Sequence, residues 1–157
     1  KLCDMEELLR LLQVENLTIG SCESLTAGLF TARFAELSGV SEVLRGGIVT
    51  YQSEVKTDLV GVDERIVAKH GVVSEQCARA MAVNARKLLG CDICVSFTGN
   101  AGPSVMEGKP VGCVYCAVAF ENEVFGYHLQ LSGSRNEIRL EAVNCMVQKL
   151  IKLLKNM

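Results

Sequence analysis

The sequence predicts an α/β protein in which helices cover both faces of a mixed sheet. Helical patterns occupy both ends and the middle of the chain, with strand patterns between them, which is typical of a sheet covered on two faces. The last two strand patterns are joined by the short segment Glu121-Asn122-Glu123, which indicates an antiparallel hairpin. The chain has 157 residues and no linker or repeat, so we expect a single domain over residues 1–157.

The first half of the chain alternates helix and strand patterns. A helix is predicted to begin near Asp4, and its leucines at positions 8, 9, 11 and 12 form one face. Residues 17–22 are predicted to form a buried strand, and residues 27–37 carry apolar side chains at helical spacing. A strand over 46–51 and short helices over 53–60 and 63–70 follow, with Ser53 interpreted as a helix N-cap.

The second half carries clearer boundary signals. Ser74 is predicted to cap a long helix that runs through Leu89 and ends at Gly90. Strands are predicted at 92–98, 111–120 and 124–131. Ser134 and Glu137 form a capping-box pattern for the last helix, whose apolar face includes positions 143, 146, 147, 150 and 154.

Composition excludes several classes of partner. The formal charge is -2 and aromatic residues are few, so direct nucleic-acid binding is not expected. The longest apolar run, 111–120, is too short to cross a bilayer, and no signal peptide is visible, so we expect a soluble cytoplasmic protein without membrane contact. The first residue is Lys1, which leaves open whether the chain stands alone or is part of a longer protein.

Two cysteine pairs, Cys91/Cys94 and Cys113/Cys116, match the spacing of zinc ligands. Both pairs lie in apolar runs that favour strands, and residues three apart on a strand point to opposite faces. We therefore expect no metal site and no disulfide within either pair. The cysteines are expected to act as small buried apolar side chains.

The segment from Glu23 to Gly28 lies where the first strand turns into a helix. The first backbone amides of a helix have no internal acceptor and carry the positive end of its dipole, so an anion or an oxyanion can bind there. Ser24 at this corner is placed for acyl or phosphate chemistry. The alternative is that Ser24 or Thr26 only caps the helix.

Two further loops, 51–56 and 98–103, are expected to share a pocket with this turn. Lys56 falls in the first turn of its predicted helix, where the dipole opposes a positive charge and favours a neutral amine; the alternative is a solvated surface lysine. The loop 98–103 follows a strand and offers free backbone amides. Tyr51 and Lys56 have the wrong spacing for a short-chain dehydrogenase, and Ser53-x-x-Lys56 lacks the later motif of penicillin-binding proteins.

Five motifs occur in order along nearly the whole chain: 23–28, 45–51 with Lys56, 71–74, 98–103 and 109–112. Together they resemble the CinA carboxy-terminal domain family, whose enzymatically characterised members are nicotinamide-nucleotide amidases. The resemblance implies a three-layer α/β/α sandwich and a homodimer or higher homo-oligomer. It also implies deamidation of nicotinamide mononucleotide to nicotinic acid mononucleotide and ammonia, with no metal or organic cofactor.

The resemblance also assigns roles to residues. It implies that Ser24 is the nucleophile, Lys56 its general base, and Tyr51 a hydroxyl that relays or steadies the proton. From its position at the start of the last helix, Arg135 is the expected phosphate ligand, with Arg139 one turn later as second choice; the alternative for both is a solvated, charged helix face. The expected substrate-binding residues are Glu23, Thr26, Gly28, Thr98, Gly99, Asn100, Gly102, Arg135 and Arg139.

One loop departs from the family pattern. Residues 104–108 are shorter than the usual glycine-rich stretch and retain one glycine, Gly108. Leu25, Ala27 and Asn100 also replace the residue types that are common at their positions. These departures support a second hypothesis, in which the chain is a catalytically silent nucleotide-binding or interaction module of the same fold.

Overall fold

The computed structural model describes residues 2–157. The helices are α1 (Leu2–Glu15), α2 (Leu29–Phe34), α3 (Ser53–Asp58), α4 (Glu64–His70), α5 (Glu75–Leu89) and α6 (Arg135–Lys155), and the strands are β1 (Ile19–Glu23), β2 (Leu44–Val49), β3 (Ile93–Gly99), β4 (Cys113–Phe120) and β5 (Glu123–Gln130). A short 3-10 turn, Val40–Glu42, precedes β2.

The five strands form one mixed sheet in the order β2-β1-β3-β4-β5. Strand β1 runs parallel to β2 and β3, whereas β3, β4 and β5 are joined antiparallel. The predicted hairpin is therefore confirmed. Because β1 and β3 are parallel neighbours, their carboxyl ends bring Ser24 and the loop after Gly99 to the same edge of the sheet.

Helices cover both faces of this sheet, as predicted. Side chains of α1, α2 and α6 pack on one face in a large core that includes Phe30, Phe97 and Met146. Helix α5 covers the other face, where Met81 and Ala85 pack against Cys22 and Cys94. The three-layer α/β/α architecture is confirmed. Among residues 2–157, no helix combines the length and apolar character needed to span a membrane.

Local boundaries differ from the sequence prediction near the Ser24 turn. Helix α2 begins at Leu29 rather than at residue 27, because Ala27 and Gly28 adopt left-handed backbone conformations with φ of 49° and 95°. Ser53 is the first helical residue of α3, and Gln52 occupies its N-cap without a side-chain hydrogen bond, so the predicted Ser53 cap is wrong. The caps predicted at Ser74 and Ser134 are confirmed by their hydrogen bonds to backbone N–H groups.

The two cysteine pairs behave differently. Cys113 and Cys116 point to opposite faces of β4, as predicted, and lie in different core clusters. Cys91 and Cys94 lie on the same face, so the prediction of opposite directions is wrong for this pair. Strand β3 begins at Ile93, after the left-handed turn at Gly90, and strand alternation therefore does not extend back to Cys91. No cluster of three or more potential metal-ligating side chains occurs in the described part of the chain.

Candidate active site

The Ser24 turn lies directly beyond the end of β1. The Ser24 N–H donates to the Phe97 carbonyl at 2.9 Å, which continues the pairing of β1 with β3 for one more residue. The turn is closed by a hydrogen bond from the Ala27 N–H to the Ser24 carbonyl at 3.0 Å. Positive φ angles at Ala27 and Gly28 then redirect the chain into α2. Ser24 is held at the rim of a cleft by this backbone path.

Glu23 lies beneath this turn and caps α2. Its carboxylate accepts hydrogen bonds from the Phe30 and Thr31 N–H groups at 2.9 and 3.1 Å, and from the Thr31 and Ser21 hydroxyls at 2.7 and 2.8 Å. The side chain is fully buried. The expectation that these helix amides are free for an anion is therefore wrong, because a carboxylate of the chain already satisfies them. Glu23 was expected to bind substrate, but its side chain does not reach the cleft, so the structure gives that role no support.

Lys56 lies on the other side of Ser24 and is 1 % exposed, so the surface-lysine alternative is wrong. Its Nζ is 2.9 Å from Ser24 Oγ, 2.6 Å from the Thr50 carbonyl oxygen and 3.2 Å from the Tyr51 carbonyl oxygen. Burial lowers the pKa of Lys56 below its usual value. Lys56 Nζ donates to all three of these oxygens, and the Ser24 hydroxyl donates to the Tyr51 carbonyl at 3.3 Å.

Tyr51 contributes to this cluster through its backbone and not through its ring. Its carbonyl oxygen accepts from Lys56 and lies 3.3 Å from Ser24 Oγ. Its hydroxyl instead accepts a hydrogen bond from Arg135 Nη2 at 2.5 Å, and half of the residue is exposed. The predicted proton relay through this hydroxyl therefore has no support in the geometry.

Arg135 and Arg139, one turn apart on α6, have different surroundings. Arg135 donates to the Gly102 carbonyl at 2.6 Å and to the Tyr51 hydroxyl; both acceptors are neutral, so its charge is not cancelled at the cleft. Arg139 donates to the carbonyls of Leu25 and Thr26 at 2.8 and 2.9 Å. Arg139 thus holds the Ser24 turn in place and is not oriented as a phosphate ligand.

The loop after β3 forms the opposite wall of the cleft. A Cβ atom at Gly99 would lie 2.6 Å from the Cys113 carbonyl oxygen, so only glycine fits this close backbone approach. Asn100 is 4 % exposed, and its side-chain amide donates to the carbonyls of Met106 and Lys109 at 3.2 and 3.0 Å. Thr98 donates to the Val72 carbonyl at 2.8 Å and does not line the cleft. Its expected role in substrate binding therefore has no support in the geometry.

Sequence reasoning missed the residues that anchor the 104–109 segment. The Glu107 carboxylate accepts from the Val72 and Val73 N–H groups at 2.9 and 3.0 Å, and Lys109 Nζ donates to the Val73 carbonyl at 2.7 Å. Gly71 allows this approach, because a Cβ there would lie 2.4 Å from the Glu107 carboxylate. The one available signal was Glu107 itself, a charged residue in the loop that departs from the expected glycine-rich pattern.

The cleft between these walls has a volume of about 180 Å³. Its lining consists of Ser24, Leu25, Tyr51, Gly99, Asn100, Ala101, Gly102, Ser104, Val105, Met106 and Arg135. Two residues of the expected binding set, Thr26 and Gly28, do not line it; Thr26 is fully buried, and its hydroxyl has no hydrogen-bond partner among residues 2–157. A larger cavity of about 570 Å³ lies elsewhere, but the Ser24–Lys56 pair opens into the smaller cleft.

The sequence of the chain places it in a known family. Residues 4–154 match the CinA C-terminal domain. The chain belongs to the CinA C-terminal domain family. Two relatives, from Lysinibacillus sphaericus (strain C3-41) and Shouchella clausii (strain KSM-K16), are provisionally named competence-damage inducible proteins and are 45% and 44% identical over 89% and 96% of this chain. The chain spans about a third of the length of these curated relatives, 34% and 36%.

Solved structures of CinA proteins have the same fold. A CinA superfamily protein from Klebsiella pneumoniae 700603 superposes with a TM-score of 0.97 at 25% identity, covering 99% of this chain and 98% of its own. A competence/damage inducible protein from Agrobacterium tumefaciens superposes with a TM-score of 0.88 at 34% identity, covering 96% and 95%. The family resemblance drawn from the five sequence motifs is therefore confirmed.

Proposed function

We propose that this CinA domain is a serine-lysine amidase that converts nicotinamide mononucleotide to nicotinic acid mononucleotide and ammonia. The observation that carries the proposal is the buried Lys56 Nζ, 2.9 Å from the cleft-lining Ser24 Oγ. No carboxylate forms an ion pair with Lys56 among the described residues. Nucleophile and base both come from the chain itself, so the proposal includes no metal or organic cofactor.

The reaction proceeds through an acyl-enzyme. Neutral Lys56 takes the Ser24 proton while Ser24 Oγ attacks the carboxamide carbon, and it returns that proton to the departing ammonia. Water then hydrolyses the ester, with Lys56 again acting as the base. The N–H groups of Leu25 and Thr26 have no acceptor among residues 2–157, so they are our candidates for oxyanion donors.

Two groups of cleft residues are proposed to recognise the two parts of the substrate, the phosphate and the pyridine ring. The Arg135 guanidinium, whose charge is not cancelled, is proposed to bind the phosphate. The apolar side chains of Leu25, Val105 and Met106 offer a surface for the pyridine ring. The small nucleotide as partner, a homodimer or larger homo-oligomer, and a cytoplasmic location are further parts of this proposal.

The test is ammonia release by the purified protein from nicotinamide mononucleotide. Free nicotinamide, its riboside and the dinucleotide serve as substrate controls. The Ser24→Ala variant should lose activity by several orders of magnitude while it keeps its fold, and an acid-quenched acyl adduct should map to the peptide that contains Ser24. Ammonia from a different amide alone would retain the chemistry and replace the substrate. Full activity of Ser24→Ala would remove Ser24 from the mechanism.

A second candidate function is a catalytically silent nucleotide-binding module. The departure of residues 104–108 from the family pattern favours it, because Glu107 ties this segment to Val72 and Val73 and fixes the shape of the cleft wall. In calorimetry such a module would bind the mononucleotide in an Arg135-dependent way. It would release ammonia from none of the four substrates, and Lys56→Met would leave its affinity unchanged.

A further inference from the structure

The larger cavity lies at the opposite end of the sheet from Ser24. It has a volume of about 570 Å³ and lies between the end of α5 and the β4–β5 hairpin. Its lining comprises Val83, Arg86, Lys87, Gly90, Cys91, Ala119, Glu121, Asn122, Glu123 and Val124. Because β3 has seven residues at ~3.3 Å each, the two ends of this strand lie about 20 Å apart. This cavity is therefore separate from the proposed amidase site.

A pair of thiols borders the cavity. Cys91 forms part of its wall, and Cys94 lies behind it, fully buried on the same face of the sheet. Cys91 Sγ lies over Gly20, where an added Cβ would be 3.0 Å from it, and Gly20 is the neighbour of Cys94 on the adjacent strand. The Cys94 side chain lowers the pKa of Cys91, as does the nearby Arg86, whereas the Cys91 side chain and burial raise the pKa of Cys94.

The charges around Cys91 come from several elements. Arg86 on α5 donates through Nε to the Cys91 carbonyl at 3.3 Å and through Nη1 to the Glu121 carbonyl at 2.5 Å. Lys87 adds a second cation to the cavity, while Glu121 and Glu123 of the hairpin add two carboxylates, and Asp92 opposes a thiolate at Cys91. Arg86 is held beside Cys91 by these two backbone bonds, which is the placement that favours a thiolate.

We propose that Cys91 and Cys94 form a redox-active dithiol that reacts with a small-molecule disulfide entering this cavity. Cys91 attacks one sulfur of the small disulfide and forms a mixed disulfide, and the first small thiol leaves. Cys94 then gives up its proton and attacks the Cys91 sulfur, which forms the Cys91–Cys94 disulfide and releases the second small thiol. The protein loses two electrons and two protons, and the small disulfide gains them.

The chain contains its own control for this inference. The Cys113/Cys116 pair has the same sequence spacing, but its two side chains lie on opposite faces of β4 and cannot meet. Spacing alone therefore does not produce a dithiol. The pair at 91 and 94 has in addition a shared face, neighbouring positions beside Gly20, a cavity that admits a reactant and an adjacent guanidinium.

The experiment treats the reduced, folded protein with 4,4′-dithiodipyridine and then digests it after basic and glutamate residues. The resulting peptide 88–107 contains Cys91 and Cys94 and no other cysteine. In the wild type it should become lighter by two hydrogen atoms and carry no adduct, at a rate about tenfold or more above modification of Cys113. Cys94→Ser should instead trap a stable adduct on Cys91, and Cys91→Ser should leave this peptide unmodified.

Two outcomes would overturn the inference. One is a wild-type peptide 88–107 that stays reduced while the protein is folded and reacts only in urea. The other is an adduct that remains on both cysteines without a disulfide between them. The wild-type result does not depend on the variants, so a loss of folding in either serine variant leaves the test intact. Cys116→Ser serves as the matched variant, and it should not change the reaction of peptide 88–107.

Discussion

Glu23 and Lys56 lie on opposite sides of Ser24, and both are buried ionisable residues. The Glu23 carboxylate accepts four hydrogen bonds, all from groups that are themselves fixed in β1 and α2. The Lys56 amine has three partners, and one of them is a hydroxyl that lines an open cleft. The comparison teaches that burial of an ionisable group does not by itself make it a candidate for catalysis. A partner that can exchange a proton with a ligand does.

The first prediction tests whether Lys56 acts as a general base. Lys56→Arg should reduce turnover about a thousandfold or more, because guanidinium stays charged at any usable pH and cannot accept the Ser24 proton. In the wild type, kcat/KM should rise with pH through the pKa of Lys56. Because burial lowers that pKa, the rise should be centred below the ordinary value of 10.5. Initial rates of ammonia release across pH measure both effects.

Two results would contradict the role of Lys56 as a base. Activity that is flat with pH, or most activity retained in Lys56→Arg, would remove the lysine from the mechanism. Lys87→Arg is the matched control, since it makes the same change on a lysine at the distant cavity. This control variant should keep the wild-type rate.

The second prediction tests whether the buried Glu23 carboxylate stabilises the fold. Glu23→Gln places an amide NH₂ where donors already converge, so at least one of the four donors loses its acceptor. The free energy of unfolding should fall by about 3 kcal/mol, measured by urea denaturation. Glu6→Gln makes the same chemical change on an exposed side chain of α1 and should cost far less. Equal costs for the two variants would show that the buried carboxylate contributes nothing particular to the fold.

The third prediction separates the two arginines of α6. Arg135→Ala should raise the KM for the mononucleotide about tenfold, the effect of losing ~1.5 kcal/mol of charged hydrogen bonding, and should leave the KM for the riboside nearly unchanged. Arg139→Ala should instead lower kcat for both substrates, because the Leu25 and Thr26 carbonyls lose their donor. A rise in both KM values with Arg135→Ala would give that residue a structural role.

The fourth prediction concerns the smallest effect. Ser53 has the S-x-x-K spacing to Lys56, but it is not the N-cap of α3 and has no hydrogen bond to Lys56. Ser53→Ala should therefore change stability by less than about 0.5 kcal/mol and leave turnover near the wild-type level. Thermal melts and ammonia assays check it. A dead but folded Ser53→Ala would make Ser53 the nucleophile in place of Ser24.

The sequence was sufficient where structure is set by local hydrogen bonding. The capping residues Ser74 and Ser134 were predictable, because a hydroxyl placed before an apolar helical pattern satisfies N–H groups only two or three residues away. The hairpin and the mixed sheet followed from one short connection. A shared pocket for Ser24 and Lys56 was predicted from their loops and their pairing from the family resemblance, and no spacing in the sequence specifies the contact.

The sequence was insufficient where a backbone turn redirects a side chain. Glu23 precedes Ser24 directly, but the left-handed residues Ala27 and Gly28 bring the α2 amides back over its carboxylate and not over the cleft. The direction of the Cys91 side chain was predicted wrongly for a similar reason. The alternation of side chains along a strand was applied to Cys91, which lies before β3 begins. In both cases one change of backbone direction decided which groups meet.

The anchoring of residues 104–109 has a consequence for the thermodynamics of ligand binding. Asn100, Glu107 and Lys109 attach this segment to the protein body through side-chain hydrogen bonds made entirely within the chain. A ligand that enters therefore does not have to order a loose chain segment, and that conformational entropy is already lost during folding. Binding to this wall should show a small entropic penalty, and selection among ligands should depend on their fit to a fixed surface.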